Sequence, residues 1–296
     1  MFQVVSVAIS PDGASALAGV EGYVPDEGPV TDRGALAVFD ADTQRQRAVI
    51  DLPWPVHGIA VTPDGRRAVV NGRAGYAVVD LAAERLVGEP VALEEMRTID
   101  WTEGAEVSPD GRTAALARND ELVLVDMGTR GVLRRGRVAE AEDKGIQALE
   151  WSADSSTLVA GSSGGWLHVL SAATLEPVAP RRLITGGWVT DLETSPDGRV
   201  LASTGFDGDV TLWDTATWRP YGQPVTDQRG WAWLTFTPDS TALRVFFEGH
   251  ELVEISTDPV DWVAAACAAA GRNLTPAESA VILPGRPPRA TCPDAA

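Results

Sequence analysis

The chain has 296 residues, 44% of them hydrophobic, with 42 acidic against 24 basic side chains and a net charge of −18. That apolar content suffices for a sizeable core and excludes a disordered composition, while the acidic excess repels a phosphate backbone and argues against nucleic-acid binding. No run of eighteen apolar residues occurs, so no membrane span is expected, and the first residues lack a signal peptide's basic stretch and apolar core, which makes the cytoplasm the expected location.

In chain order, the first signal is Val5-Ser6-Val7-Ala8-Ile9, an alternating stretch that runs into the turn Ser10-Pro11-Asp12-Gly13. The turn returns as Thr62-Pro63-Asp64-Gly65 and Ser108-Pro109-Asp110-Gly111, then weakly as Ser152-Ala153-Asp154-Ser155. A clean copy follows at Ser195-Pro196-Asp197-Gly198, and a weak one at Thr237-Pro238-Asp239-Ser240. Successive second positions lie 52, 46, 44, 43 and 42 residues apart. A period in the low forties with short β runs between turns is the mark of propeller blades.

Each unit follows one plan. A strand enters the turn, a second leaves it (Arg67-Ala68-Val69-Val70), and a third is β-branched and ends in Asp (Val210-Thr211-Leu212-Trp213-Asp214). A more polar fourth fits the remainder, as around Arg47-Ala48-Val49-Ile50. Period-two alternation bounded by Gly, Pro or Asp supports strands throughout. The expected fold is therefore all-β: a propeller of six recognisable blades, each of four antiparallel strands, over residues 1–257. Residues 21–34 form a Gly/Pro/Asp-rich insertion in unit one, and residues 140–145 an acidic one before unit four. Both read as loops.

The end of the chain changes character, and residues 258–296 are expected to form a short helical hairpin and coil. Asp258-Pro259 is a helix start. Trp262, Ala265, Ala266 and Ala269 share one face, which is expected to pack on the last blade through Trp262, and Gly271 ends the helix. Thr275-Pro276-Ala277-Glu278 is a capping box for a second helix, stopped by Leu283-Pro284-Gly285.

Phe206-Asp207-Gly208-Asp209-Val210-Thr211-Leu212-Trp213-Asp214, with Trp188-Val189-Thr190 through Pro196-Asp197-Gly198, resembles the WD-repeat β-propeller family over about residues 4–256. The other units are degenerate, ending in Phe39-Asp40, Val79-Asp80, Val125-Asp126 and Leu170-Ser171. The resemblance implies a buried network in which Ser203, Asp207 and Trp213 take three roles, with Thr185 standing where the family has His. The tail, Trp262, Ala266-Cys267, Ala270-Gly271-Arg272-Asn273-Leu274-Thr275 and Thr291-Cys292, looks like the closing segment of actinobacterial WD-repeat proteins. Those often serve as the sensor half of a larger chain behind a signalling NTPase or kinase. The composition, rich in Ala, Gly, Val and Pro with Lys144 the single lysine, also resembles actinobacterial usage. No glycine-rich loop followed by Lys-Ser/Thr is present, so no phosphate-binding engine is expected here. Two readings of the ring stand: a protein with a seventh blade encoded upstream of Met1, or a six-bladed ring whose last blade has three strands.

Candidate chemistry is sparse. His57, His168 and His250 lie in different units without metal-ligand spacing, so neither metal nor cofactor is expected. Asp207/Asp209 and Glu94/Glu95 read as turn and connection residues rather than acid–base pairs. Cys267 and Cys292 are taken as free thiols by default in a reducing compartment, with a bond between them as the alternative. Tryptophans are more informative. Trp54, Trp101, Trp188 and Trp231 sit seven to nine residues before a turn proline, where one blade's outer strand connects to the next blade's inner strand. By the resemblance, that connection lies on the top face. There they either cap the blade core or anchor a partner. Trp151, Trp166, Trp213 and Trp233 fall within strands and are expected in the core.

The function expected is a non-enzymatic protein or peptide interaction module, a scaffold or sensor within a larger signalling chain. Trp54, Trp101, Trp188 and Trp231 would bind the partner, and acids near residues 26–32 would select a basic one. The alternative is a propeller-type hydrolase or lyase working in the central channel, which would need converging ligands on the innermost strands; those strands read as Val, Ala, Leu and Thr.

Overall fold

The turn explains why the chain folds into repeating sheets. In all six copies the Ser or Thr hydroxyl donates to the Asp two residues on, at 2.6–2.7 Å. The same hydroxyl then accepts the backbone N–H five residues on, at 2.9–3.0 Å. The second Asp bond goes to the N–H that opens the outgoing strand, near 3.0 Å. These bonds pull the turn aspartates below the usual carboxylate range, Asp239 to about 2. The fourth position requires positive φ: Gly13, Gly65, Gly111 and Gly198 hold 68–72°, and Ser155 and Ser240 hold 60° without the freedom of glycine. The two serines have a compensation. Ser155 Oγ accepts from Asp110 N at 3.2 Å and Ser240 Oγ from Asp197 N at 3.0 Å, tying each turn to that of the preceding blade.

A computed structural model describes residues 2–22, 33–93, 104–138, 145–222, 224, 230–249, 251–282, 290 and 292. Within them six antiparallel sheets follow one another in chain order. Their first strands are Phe2–Ile9, Gly58–Val61, Ala105–Val107, Ile146–Trp151, Val189–Thr194 and Ala232–Phe236. Successive first strands pack side by side, which places them around the axis of a β-propeller. Four blades have four strands. In blade two the outer strand is split into Arg85–Leu86 and Val91–Ala92, both paired with Gly75–Asp80. The sixth blade has three strands. In blades one to three the Asp that closes the third strand begins the next turn: Asp40 accepts from Thr43 N, Asp80 from Ala83 N and Asp126 from Thr129 N, at 2.6–2.8 Å.

The core is divided among the junctions between blades. One apolar cluster joins blades one and two, around Leu36, Val38, Ile59 and Val70. Others join two and three, three and four, four and five, and five and six. Six blades thus have five apolar junctions among the described residues, and no packed pair of first strands joins Phe2–Ile9 to Ala232–Phe236. Trp151 and Trp213 are buried as the sequence suggests, and Trp166 is half-buried with Arg181 over its ring at 4.2 Å. Trp233 departs from the expectation. It is 50% exposed, because it lies on the face of the sixth blade that no other blade covers among the described residues.

The tail follows its caps. Asp258 accepts from Val260 N at 2.8 Å at the start of the helix Pro259–Ala270, and Gly271 closes it at φ 64°. Trp262 packs on the sixth blade, donates from Nε1 to Ser256 O at 2.6 Å and meets Tyr221 edge-on. The second helix, Pro276–Ile282, opens with the reciprocal Thr275–Glu278 bonds. Cys267 and Cys292 are joined in a disulfide, their Cα atoms 5.4 Å apart, so the default of two free thiols is corrected. The pairing needs the tail to fold back, which Asn273 enforces by accepting from Cys292 N at 2.7 Å.

Two outcomes are expected in stability measurements. Ser155→Ala and Ser240→Ala each lose an inter-blade hydrogen bond and keep the strained φ. They should cost about 1 kcal/mol in urea unfolding, whereas the Gly variants regain about 1 kcal/mol of strain and should be near neutral. Cys292→Ser should speed proteolytic cleavage beyond residue 271 severalfold while leaving the thermal midpoint of the ring nearly unchanged, since the helix Pro259–Ala270 has no buried residue.

Candidate functional site

Three aromatic side chains meet on the face opposite the six turns. Trp188 directly precedes the strand Val189–Thr194, Phe206 follows Val200–Gly205, and Trp231 precedes Ala232–Phe236. Backbone bonds hold them: Phe206 N donates to Trp188 O at 2.9 Å and Glu248 N to Trp231 O at 2.8 Å. Their ring centroids stand 5.9–6.3 Å apart, each pair edge to face, the arrangement ring quadrupoles favour. All three are nonetheless exposed, at 38%, 51% and 36%. An aromatic cluster this open at the junction of blades five and six is a surface, not a core.

The support beneath it is the polar network of blade five. Thr185 Oγ1 donates to Asp207 Oδ2 at 2.7 Å, and Trp213 Nε1 donates to buried Ser203 Oγ at 2.9 Å. Gly205 is required there, because a Cβ would stand 2.6 Å from Thr185. Asp209, beside Asp207, is held above its ordinary value by desolvation first and by the Asp207 charge second.

The structure separates the four connection tryptophans. Trp188 and Trp231 come together, with Phe206 added by the fold. Trp54 is 6% exposed and packs where Gly72 and Gly75 leave room for its ring, so it caps a junction and is not presented to a partner. Trp101 lies outside the described residues, as do Glu94, Glu95, His250 and the acids of residues 26–32. His57 sits in its connection, its backbone N–H donating to Asn71 O, and His168 is buried in the third strand of blade four. Among the described residues no group of three or more His, Cys, Asp or Glu is arranged to hold a metal ion.

A second feature escaped the sequence reading. Innermost strands are not purely apolar: Glu106, Glu150, Asp191 and Glu193 line a cavity of about 230 Å³ along the axis. Three of them occupy one register, two residues before the turn Ser, where the other units carry Ala8, Ala60 and Thr235. Aligning the repeats on the turn would have exposed this. Three of the four carboxylates hold the next blade. Glu150 accepts from Thr194 N at 2.9 Å, Asp191 from Leu234 N at 2.8 Å and Glu193 from Phe236 N, each on the following blade. Burial is the main force raising their pKa values, to about 6 for Asp191, about 7 for Glu193 and about 8 for Glu106. Neighbouring carboxylates add to this for Glu193 and Glu106, and Glu150 is raised well above its ordinary value by the same causes.

Comparison with known proteins agrees with this geometry. The family described as WD domain, G-beta repeat matches residues 180–214, the unit that holds the network. The U3 small nucleolar RNA-associated protein 18 homolog of Arabidopsis thaliana is 33% identical over 82 residues, 28% of this chain and only 15% of that protein's length. Among solved structures, a chain of the mitotic checkpoint complex superposes with a TM-score of 0.67 at 17% identity, covering 86% of this chain and 75% of that one. Hydrazine synthase of Kuenenia stuttgartiensis gives 0.64 at 21% identity over 89% and 79%. The Cps50 (Swd1) β-propeller domain of Myceliophteria thermophila gives 0.61 at 17% over 86% and 87%. At these identities the structures speak to fold alone. Together with the repeat match they support a WD-repeat β-propeller.

The channel acids set a pH dependence. Carboxylates raised in the folded state bind protons more tightly folded than unfolded, so their contribution is full below about pH 4 and is lost as pH climbs through about 6 to 8. The turn aspartates act oppositely and are lost below about pH 4. The thermal midpoint should therefore rise from pH 8 to pH 5, by at least the roughly 2–4 °C that 1 kcal/mol produces at this size, and fall again below pH 4. Glu106→Gln with Glu150→Gln should flatten the rise between pH 5 and 8 in a calorimetric series.

Proposed function

We propose that this chain is a non-enzymatic interaction module that holds a protein or peptide segment against Trp188, Phe206 and Trp231. The observation that carries this reading is the open aromatic cluster on a rigid rim. Large aromatics that remain half-exposed offer apolar area at little conformational cost, and such residues dominate binding energy at interfaces. Asp207, Asp209 and Glu248 stand around it within a chain of net charge −18, which favours a partner segment bearing Arg or Lys, since a cation meets both carboxylates and ring faces. WD-repeat propellers typically act as interaction scaffolds, and the checkpoint-complex neighbour is itself part of an assembly. The finer parts of the proposal are a sensor or scaffold role in signalling, a larger parent chain of actinobacterial type and a cytoplasmic location.

The hydrolase or lyase reading gains nothing from the channel. Three of its four acids accept from backbone N–H groups of the following blade, and neither of the described histidines, His57 and His168, lines the cavity. Among the described residues no helix is long and apolar enough to cross a membrane.

Trp188→Ala with Trp231→Ala should weaken binding to an array of Arg- and Lys-containing peptides at least tenfold, about 1.4 kcal/mol, with the thermal midpoint unchanged. Equal binding by the folded double variant would remove the proposal.

A further inference from the structure

The three rings of the rim stand as walls rather than as a stack. Trp188 and Phe206 incline at 61°, Phe206 and Trp231 at 76°, and Trp188 and Trp231 at 83°, with centroids 5.9–6.3 Å apart in every pair. Planes so steep and so evenly spaced suit the adjoining sides of an open corner. A point about 4.4 Å from all three centroids lies over the middle of their triangle, inside the roughly 6 Å within which a ring face attracts a cation. Each ring also stays more than a third exposed, which three rings filling one another's faces would not. Backbone bonds from Phe206 to Trp188 and from Glu248 to Trp231 hold the walls in place, so the corner exists before anything enters it.

The chemistry of the corner selects among cations. Acidic groups supply the field: Asp207 and Asp209 follow Phe206, and Glu248 Oε2 lies beside Gly230, 3.2 Å from where a Cβ on that residue would stand. Acceptors next to the rings are already engaged. Trp188 O takes the Phe206 N–H, Trp231 O takes the Glu248 N–H, and Asp207 takes the Thr185 hydroxyl and the Asp209 N–H. A primary ammonium brings three donors, and burying them against carbon walls leaves them unpaired at a cost. A guanidinium is planar and lies flat on one ring only. A trimethylammonium head has no N–H to satisfy, spreads its charge over methyl groups and meets all three faces at once.

Resting on the peptide-binding reading of this rim, we propose that the corner formed by Trp188, Phe206 and Trp231 receives a trimethylated lysine side chain of a partner peptide. A peptide, and not a free quaternary ammonium compound, is specified by the openness of the corner. Three walls leave the far side of a small cation in water, whereas a side chain enters with a backbone whose neighbouring Arg or Lys residues reach Asp209 and Glu248.

The probe is a basic peptide with one central lysine, prepared unmodified, trimethylated, and with a neutral tert-butyl head of the same shape. Calorimetric titration of the intact protein should show the trimethylated form binding roughly tenfold more tightly than the unmodified one, with the neutral form close to the unmodified. Phe206→Leu keeps apolar area and removes one ring face. It should abolish the preference for methylation and leave the thermal midpoint unchanged, since Phe206 is exposed; a preference retained in this variant overturns the proposal. Equal affinity of the trimethylated and unmodified peptides also overturns it and leaves the rim reading standing. So does equal affinity of the trimethylated and neutral peptides, the sign of a purely apolar patch. Tetramethylammonium chloride binding as tightly as the trimethylated peptide would assign the corner to free cations instead. Absence of binding by all three peptides would remove this proposal and the rim reading together.

Discussion

A sheet that is apolar on both faces cannot be stable alone, and every level of this molecule follows from that constraint. Burying a Leu or Val side chain contributes about 1.5–3 kcal/mol, and here that burial happens almost entirely between blades. Leu36, Leu116, Leu158 and Leu201 are all essentially inaccessible, yet each becomes so through a neighbour forty-odd residues away in sequence. Stability is shared along the ring in the manner of a stacked repeat, junction by junction. The tail is attached differently, through Trp262 and without a buried face on its first helix, and the Cys267–Cys292 bond closes it on itself.

Polar groups then set how the junctions are aligned. The turn aspartates organise each hairpin internally, and the two serine-bearing turns reach back to the preceding blade. On the axis, carboxylates of blades four and five reach forward to backbone N–H groups of the next blade. These acids are costly to bury, which is why their protons are held tightly, but unpartnered N–H groups along the axis would also be costly. The rim cluster depends on the same alignment, since Trp188 and Phe206 belong to blade five and Trp231 to blade six.

Much of this was legible in the residues. The turn appears six times, and the two copies that lack glycine keep the same hydrogen bonds, so even degenerate repeats could be aligned. Helix caps at Asp258, Gly271 and Thr275 are local signals and were readable for the same reason. The tryptophans were not equally legible. Trp54 and Trp188 share a sequence context, yet one is covered and the other open, because Gly72 and Gly75 make a slot for the first. Trp213 and Trp233 both lie in strands, yet only Trp213 has a blade on its side of the sheet. The channel acids went unread because a Glu in a strand resembles a solvated position until the repeats are superposed.

By itself, the amino-acid order determined the repeat, the turn chemistry, the four-strand plan, the caps of the tail and the all-β class, since each depends on residues close together along the chain. Only the tertiary structure decided which aromatics meet, which carboxylates face the axis, that Cys267 reaches Cys292 and which sheet faces stay uncovered. Those outcomes depend on what stands opposite a side chain, and in a ring of stacked sheets the opposing residue comes from another repeat.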